Sequence, residues 1–147
     1  MAVKRLTKED FNYVYKKAPR LCVDLVVFSE KGILFTKRAI PPFKGYWHFP
    51  GGSVYFGEKI QGAIKRVAAQ ELDVRVEVIK LLDYMEIVRT PQDRHDVGME
   101  FLVRQVGGEI KLNYQATEAR FFKEVPKKVI KEHWRVALKA LEETKNS

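Results

Sequence analysis

The sequence predicts an α/β/α sandwich in which a mixed sheet lies between helices. Three observations predict it. Helix-like and strand-like stretches follow one another in the order helix, strands, helix, strands, helix. Two apolar runs flank the turn signal Glu30-Lys31-Gly32 and read as a hairpin. Between the two groups of strands, Ile60, Ala63, Ile64, Val67 and Ala68 recur at spacings of three and four, the period of an amphipathic helix. At 147 residues the chain reads as one domain, 1–147, large enough to bury a core.

The elements follow in order. Residues 7–17 predict a helix: Thr7 can cap it, Asp10 stands three residues on, and Phe11, Val14 and Tyr15 share one side. Pro19 ends it. Residues 22–29 and 33–39 are the two hairpin strands. Residues 40–52 (IPPFKGYWHFPGG) predict a loop, with Trp47 in the core. The helix at 59–72 should bury Ile60, Ile64 and Val67. Residues 74–88 predict one or two strands, 90–96 (TPQDRHD) a polar loop and 97–106 a strand. Short strands are expected at 109–112 and 120–123. Pro126 precedes a last helix at 127–144, whose apolar face would be Val129, Ile130, Trp134, Ala137, Leu138 and Leu141.

The formal net charge of +8 favours anionic ligands, phosphates included. No basic stripe is interleaved with aromatics, so no nucleic-acid partner is expected. No apolar run reaches the roughly 18 residues of a membrane span, and the N-terminus lacks the apolar core of a signal peptide. The single cysteine, Cys22, cannot form an internal disulfide, and a reducing, cytoplasmic setting fits it. It reads as a buried strand thiol.

Chemistry concentrates at residues 52–74. Positions 67, 70 and 71 share one helix face, and a carboxylate on it would suit a hard cation such as Mg²⁺. Here they are Val67, Gln70 and Glu71, so only Glu71 supplies a carboxylate. Glu58 sits near the helix start, where its charge suits the macrodipole. Gly51-Gly52 permits a close backbone approach and offers a carbonyl ligand. Arg38, on the second hairpin strand, can reach a phosphate. The run Tyr46-Trp47-His48-Phe49 reads equally as a site wall or as a loop folded onto the core. Asp24, among Val23, Leu25 and Val26, is costly to bury alone, so it must be paired to an arginine or face a ligand.

Gly52, Glu58, Arg66 and Glu71 stand at the spacings of a Nudix box, with Val67, Gln70 and Asp73 departing from it. The chain therefore resembles the Nudix superfamily. Within it, the chain is similar to GDP-mannose mannosyl hydrolases, which also carry an apolar residue where Val67 stands. Glu9-Asp10-Phe11, Val23-Asp24-Leu25, Thr36-Lys37-Arg38, Gly45-Tyr46-Trp47 and Pro50-Gly51-Gly52 extend the likeness. The resemblance implies a homodimer with a Nudix fold that hydrolyses a nucleoside diphosphate derivative, best a nucleotide sugar such as GDP-mannose. It implies one Mg²⁺ or Mn²⁺ held by the Gly51 carbonyl, Glu71 and Gln115. Arg38 would bind the diphosphate with Asp24 nearby, and Arg66 would neutralise charge or orient Glu71. Tyr46 and His48 are candidates for the substrate wall. Where that family has a general-base His and a ligand-contacting Arg, this chain has Ala116 and Ser53. His95 and His48 are the candidate replacements for the base, followed by Glu100 and Glu118, and His133 reads as structural. The alternatives are a Nudix pyrophosphatase that attacks phosphorus and a Nudix-fold module that binds a nucleotide without turnover.

Overall fold

A computed structural model describes residues 2–89 and 93–145. Thr90, Pro91 and Gln92 of the expected polar loop lie outside the described residues. The element order is α1 (Lys8–Tyr15), β1 (Arg20–Ser29), β2 (Gly32–Arg38), β3 (Trp47–His48), β4 (Gly51–Ser53), α2 (Ile60–Leu72), β5 (Val74–Arg89), β6 (Arg94–Gly108), β7 (Ala116–Phe122) and α3 (Lys131–Glu143). The sheet runs β3-β2-β1-β6-β5, with β4 added to β1 and β7 to β2. It is mixed, as expected: β1 pairs in parallel with β6, and the β1–β2 and β5–β6 pairs are antiparallel.

Alternation along β1 distributes the core. Val23, Leu25 and Val27 point to α2 and pack with Ala63, Ile64, Val67 and Ala68. Val26 and Phe28 point the other way, to Val136, Ala137 and Ala140 of α3. Asp24 has the parity of Val26, so its carboxyl enters the α3 side beneath the sheet. On β6 the same rule sends Phe101 to α2 and Leu102 to α3, and Glu100 follows Leu102. Trp47, Ile64 and Val67 are buried as predicted, whereas Ile60 is half-buried.

Several expectations are corrected. The loop at 40–52 contains β3 and the start of β4, because Thr36 and Lys37 pair with His48 and Trp47, and Asp24 pairs with Gly51. Residues 94–96 are strand rather than loop, paired to Arg89, Val88 and Ile87. Residues 109–112 form no strand; the Lys111 N–H is spent on the Leu72 carbonyl at the end of α2 (2.9 Å). Asp73 terminates α2 in the left-handed conformation, at φ 56°. The last helix starts at Lys131 and buries His133, Val136, Ala137 and Ala140, while Trp134 and Leu138 are 44% and 51% exposed. Small side chains on that face let the helix lie close to the sheet. The polar His133 is tolerated there because the Phe49 N–H donates to its Nδ1 (3.2 Å).

Candidate active site

A cleft of about 860 Å³ opens where β4, α2, the start of β1 and the β5–β6 hairpin meet. The loop before α2 forms one wall, and its geometry is set by Arg66. This guanidinium donates to both oxygens of Glu58 (2.8 and 2.9 Å), to the Ser53 carbonyl (2.6 Å) and to Gln70 Oε1 (2.9 Å). It lies over the Tyr55 ring at 3.6 Å. Four of its five N–H groups are thus used within the protein. Its hydrogen bond is the main cause that holds the Glu58 carboxyl below the usual range.

Glu71 faces the cleft and is half-buried. Its Oε2 accepts from Asn113 Nδ2 (3.1 Å), which also donates to the Gln70 carbonyl (3.0 Å), and Asn113 Oδ1 accepts from the Gln115 N–H (2.9 Å). Asn113 therefore pins the Gln115 loop to α2. Burial raises the Glu71 carboxyl, while Asn113, Arg38 and Arg66 pull it back. Leu25 N–H donates to the Pro50 carbonyl and Val54 N–H to the Leu21 carbonyl (2.8 and 3.0 Å). That register leaves the Gly51 carbonyl on the free edge of β4, beside the one on which Arg66 holds Ser53. Glycine is needed there, since a Cβ at Gly51 would stand 1.9 Å from Asp24 Oδ1. Glu71, Gln115 and the Gly51 carbonyl are all hard oxygen donors, and Glu71 has no ion-pair partner among the described residues. This set fits a divalent cation of the Mg²⁺ or Mn²⁺ kind. Val67, 1% exposed against Gly52, closes the place where a further carboxylate would stand.

A second group of possible ligands, Asp24, Glu100 and His133, is buried beneath the cleft, which Asp24 and His133 line. His133 Nε2 is 3.8 Å from Asp24 Oδ2 and 4.0 Å from Glu100 Oε1. Because Nδ1 accepts the Phe49 N–H, the neutral ring carries its proton on Nε2, so that nitrogen has no lone pair for a metal. Burial pushes His133 down to about 3, so these contacts are dipolar rather than ionic. Burial pushes Asp24 up to about 6 and drives Glu100 well above the usual range, the Asp24 charge adding to the latter. The Asp24 and Glu100 carboxyls therefore disfavour ionising together.

The arginines line the same cleft. Arg38 Nε donates to the Pro42 carbonyl (2.5 Å), and its guanidinium has no carboxylate at ion-pair distance among the described residues. Burial first, then Arg89, lowers its pKa. Arg20 forks to Asp96 (2.8 and 3.1 Å) and donates to Ser53 Oγ (2.9 Å), so a guanidinium from β1 reaches the serine that stands where a ligand arginine was expected. His48 lines the cleft and is held neutral, well below its usual value, by burial, His133 and Arg38. His95 lies off the cleft, paired with Glu86 at 3.2 Å. Tyr46 also lies off it, packed on Phe43 with Lys128 over its ring.

The structure thus brings together Asp24, Arg38, His48, Gly51, Arg66, Glu71 and Gln115, and leaves out His95 and Tyr46. Sequence reasoning missed Arg20, Arg89, Asp96 and Asn113. Only Asn113 had a local signal, its place two residues before Gln115.

The NUDIX domain family matches residues 18–143. The chain is 34% identical over 126 residues to an ADP-ribose pyrophosphatase of Methanocaldococcus jannaschii, covering 80% of this chain and 74% of that one. It is 27% identical to the low-salt glycan biosynthesis protein Agl8 of Haloferax volcanii, over 80% of each. A MutT NUDIX hydrolase from Burkholderia pseudomallei superposes with a TM-score of 0.76 at 24% identity, over 84% of this chain and 98% of that one, which shows a shared fold. With the box residues Gly52, Glu58, Arg66 and Glu71 assembled on one loop and helix at a cleft, this chain belongs to the NUDIX domain family.

Proposed function

We propose that the protein is a hydrolase that uses one Mg²⁺ or Mn²⁺ to cleave a nucleoside diphosphate joined to a sugar, the class that includes both ADP-ribose and GDP-mannose. The observation that carries this reading is the lone carboxylate Glu71, which Asn113 links to the Gln115 backbone, in one cleft with Gly51 and Arg38. A bound cation would neutralise the diphosphate and make it a better leaving group. Arg38 offers a fork to the phosphate oxygens. Arg66 acts on position, keeping β4 and α2 in register so that the Gly51 carbonyl and Glu71 face one space. Asp24 and His48 are our candidates in the cleft for taking a proton from water, whereas His95 lies off it.

Cleavage on the sugar side, releasing the nucleoside diphosphate, fits a site that Val67 limits to a thin metal shell. The Methanocaldococcus jannaschii relative, named a pyrophosphatase, favours attack at phosphorus instead. Hydrolysis of ADP-ribose and GDP-mannose in ¹⁸O-labelled water with Mg²⁺ separates the two. Label in the sugar supports the first reading and label in phosphate the second, while tight binding without product would make the protein a nucleotide-binding module. A homodimer is our reading of α1, which buries none of its residues in the single chain; sedimentation tests it. The lone buried thiol Cys22 suits a cytoplasmic setting.

A further inference from the structure

Beyond the metal residues, the cleft continues to a cluster of arginines that the diphosphate alone does not explain. Arg20 and Arg94 lie over the Phe11 ring at 5.5 and 4.9 Å, and Arg89 lies over Phe43 at 5.2 Å. A guanidinium stacked on a ring keeps its N–H edges free to fork to an anion. Asp96 is the one carboxylate in ion-pair contact with this cluster among the described residues, and it is already divided between Arg20 (2.8 Å) and Arg89 (3.7 Å). Glu132 is felt by Arg89 only at longer range. Arg94 and Arg38 have no ion-pair partner among the described residues, and Arg89 Nε is a buried N–H without an acceptor. Buried donors are seldom left unmade, so the cluster has donors to offer an anion.

We propose that this end of the cleft is a second anion subsite, which takes a phosphate or carboxylate carried by the ligand in addition to its diphosphate. The proposal rests on the function proposed above and deepens it. A diphosphate diester bears one negative charge on each phosphorus, and a divalent cation with Arg38 already offsets both. Arg89 and Arg94 then remain for another charged group. Arg38 interacts electrostatically with Glu71 and also with Arg89 and Arg20, so it links the two ends of the cleft. The substrate class is therefore a nucleoside diphosphate sugar with an acidic second half, either a sugar acid or a phosphosugar.

The test uses matched ligands that differ by one anionic group: UDP-glucose against UDP-glucuronate, and ADP-ribose against ADP-ribose 1″-phosphate. Dissociation constants are measured by calorimetry with Ca²⁺ in place of Mg²⁺ to suppress turnover. The acidic member of at least one pair should bind about tenfold or more tighter. The pair that shows it tells carboxylate from phosphate. Arg89→Gln and Arg94→Gln should each abolish most of the preference, and Arg94→Gln should leave the neutral member's affinity within about twofold. Equal binding within both pairs overturns the subsite while the proposed function stands, as does a preference that survives both substitutions. If no nucleotide binds, the proposed function falls, and inorganic tripolyphosphate decides the subsite alone. A rise in melting temperature in the wild type that is lost in Arg89→Gln supports the subsite, and no rise, or an equal rise in both, overturns it.

Discussion

Arg66 and Glu58, eight residues apart, form a fork-on-fork pair at the start of α2, with Nε 2.8 Å from Oε2 and Nη2 2.9 Å from Oε1. Two box residues thus act on each other and on the backbone at Ser53. Their spacing records how a loop is closed onto a helix beside the site.

The pair sets a pH dependence. The folded Glu58 pKa is depressed, mainly by Arg66, so its stabilisation is present above the unfolded value of about 4.3. It is lost as pH falls through the lower folded value. Glu58→Gln should remove this part of the acid decline in urea melts from pH 2 to 7. Arg66→Lys, which cannot fork, should cost about 2 kcal/mol at pH 7 and weaken metal binding, because the Ser53 carbonyl is released with it.

Glu100 predicts the opposite slope. Its folded pKa is raised by burial and by Asp24. Its contribution is therefore full below the unfolded value of about 4.3 and is lost as pH rises through the raised value. Glu100→Gln keeps the shape and removes the buried charge. The variant should be more stable than wild type at pH 8 by about 1–3 kcal/mol, with a flatter profile above pH 5. Equal profiles in guanidinium melts would show that Glu100 is ionised and paired.

Val67 is 1% exposed and packs beneath Gly52 at the position of a missing box carboxylate. Val67→Glu should therefore destabilise by about 3–5 kcal/mol through an uncompensated buried charge, seen as a lower melting temperature. It should not add a metal in Mn²⁺ titrations followed by electron paramagnetic resonance.

Glu71→Gln removes the one charge of the proposed ligand set. Mn²⁺ affinity should fall at least about tenfold, while metal-free stability changes by less than about 1 kcal/mol, since the carboxyl is half-buried and its own pKa is raised. Asn113→Ala should weaken Mn²⁺ binding less, by freeing the Gln115 loop. Unchanged affinity in Glu71→Gln would exclude the ligand set.

What the sequence determined by itself is local. Thr7 caps α1 through its Oγ1, which accepts the Asp10 N–H at 3.2 Å, because a cap needs only residues three apart. The face of α2 and the β1–β2 hairpin followed from periods of 3.6 and 2 and from one glycine turn. The box placed Gly52, Glu58, Arg66 and Glu71 on a single loop and helix, so their closeness was legible too. The face of α3 was not, because hydrophobicity pointed to Trp134 and Leu138 while packing chose His133 and the small residues that allow close approach to the sheet. The rest of the cleft's charge, from Arg20, Arg89, Arg94 and Asp96, was decided by tertiary structure. Arg20 meets Asp96 only because β1 and β6 lie parallel in the register that sets Arg20 opposite Asp96. That same register puts Asp24 opposite Glu100, and α3 then covers both with His133. Strand order is a property of the whole chain's packing, and no spacing within a segment encodes which side chains it will bring together.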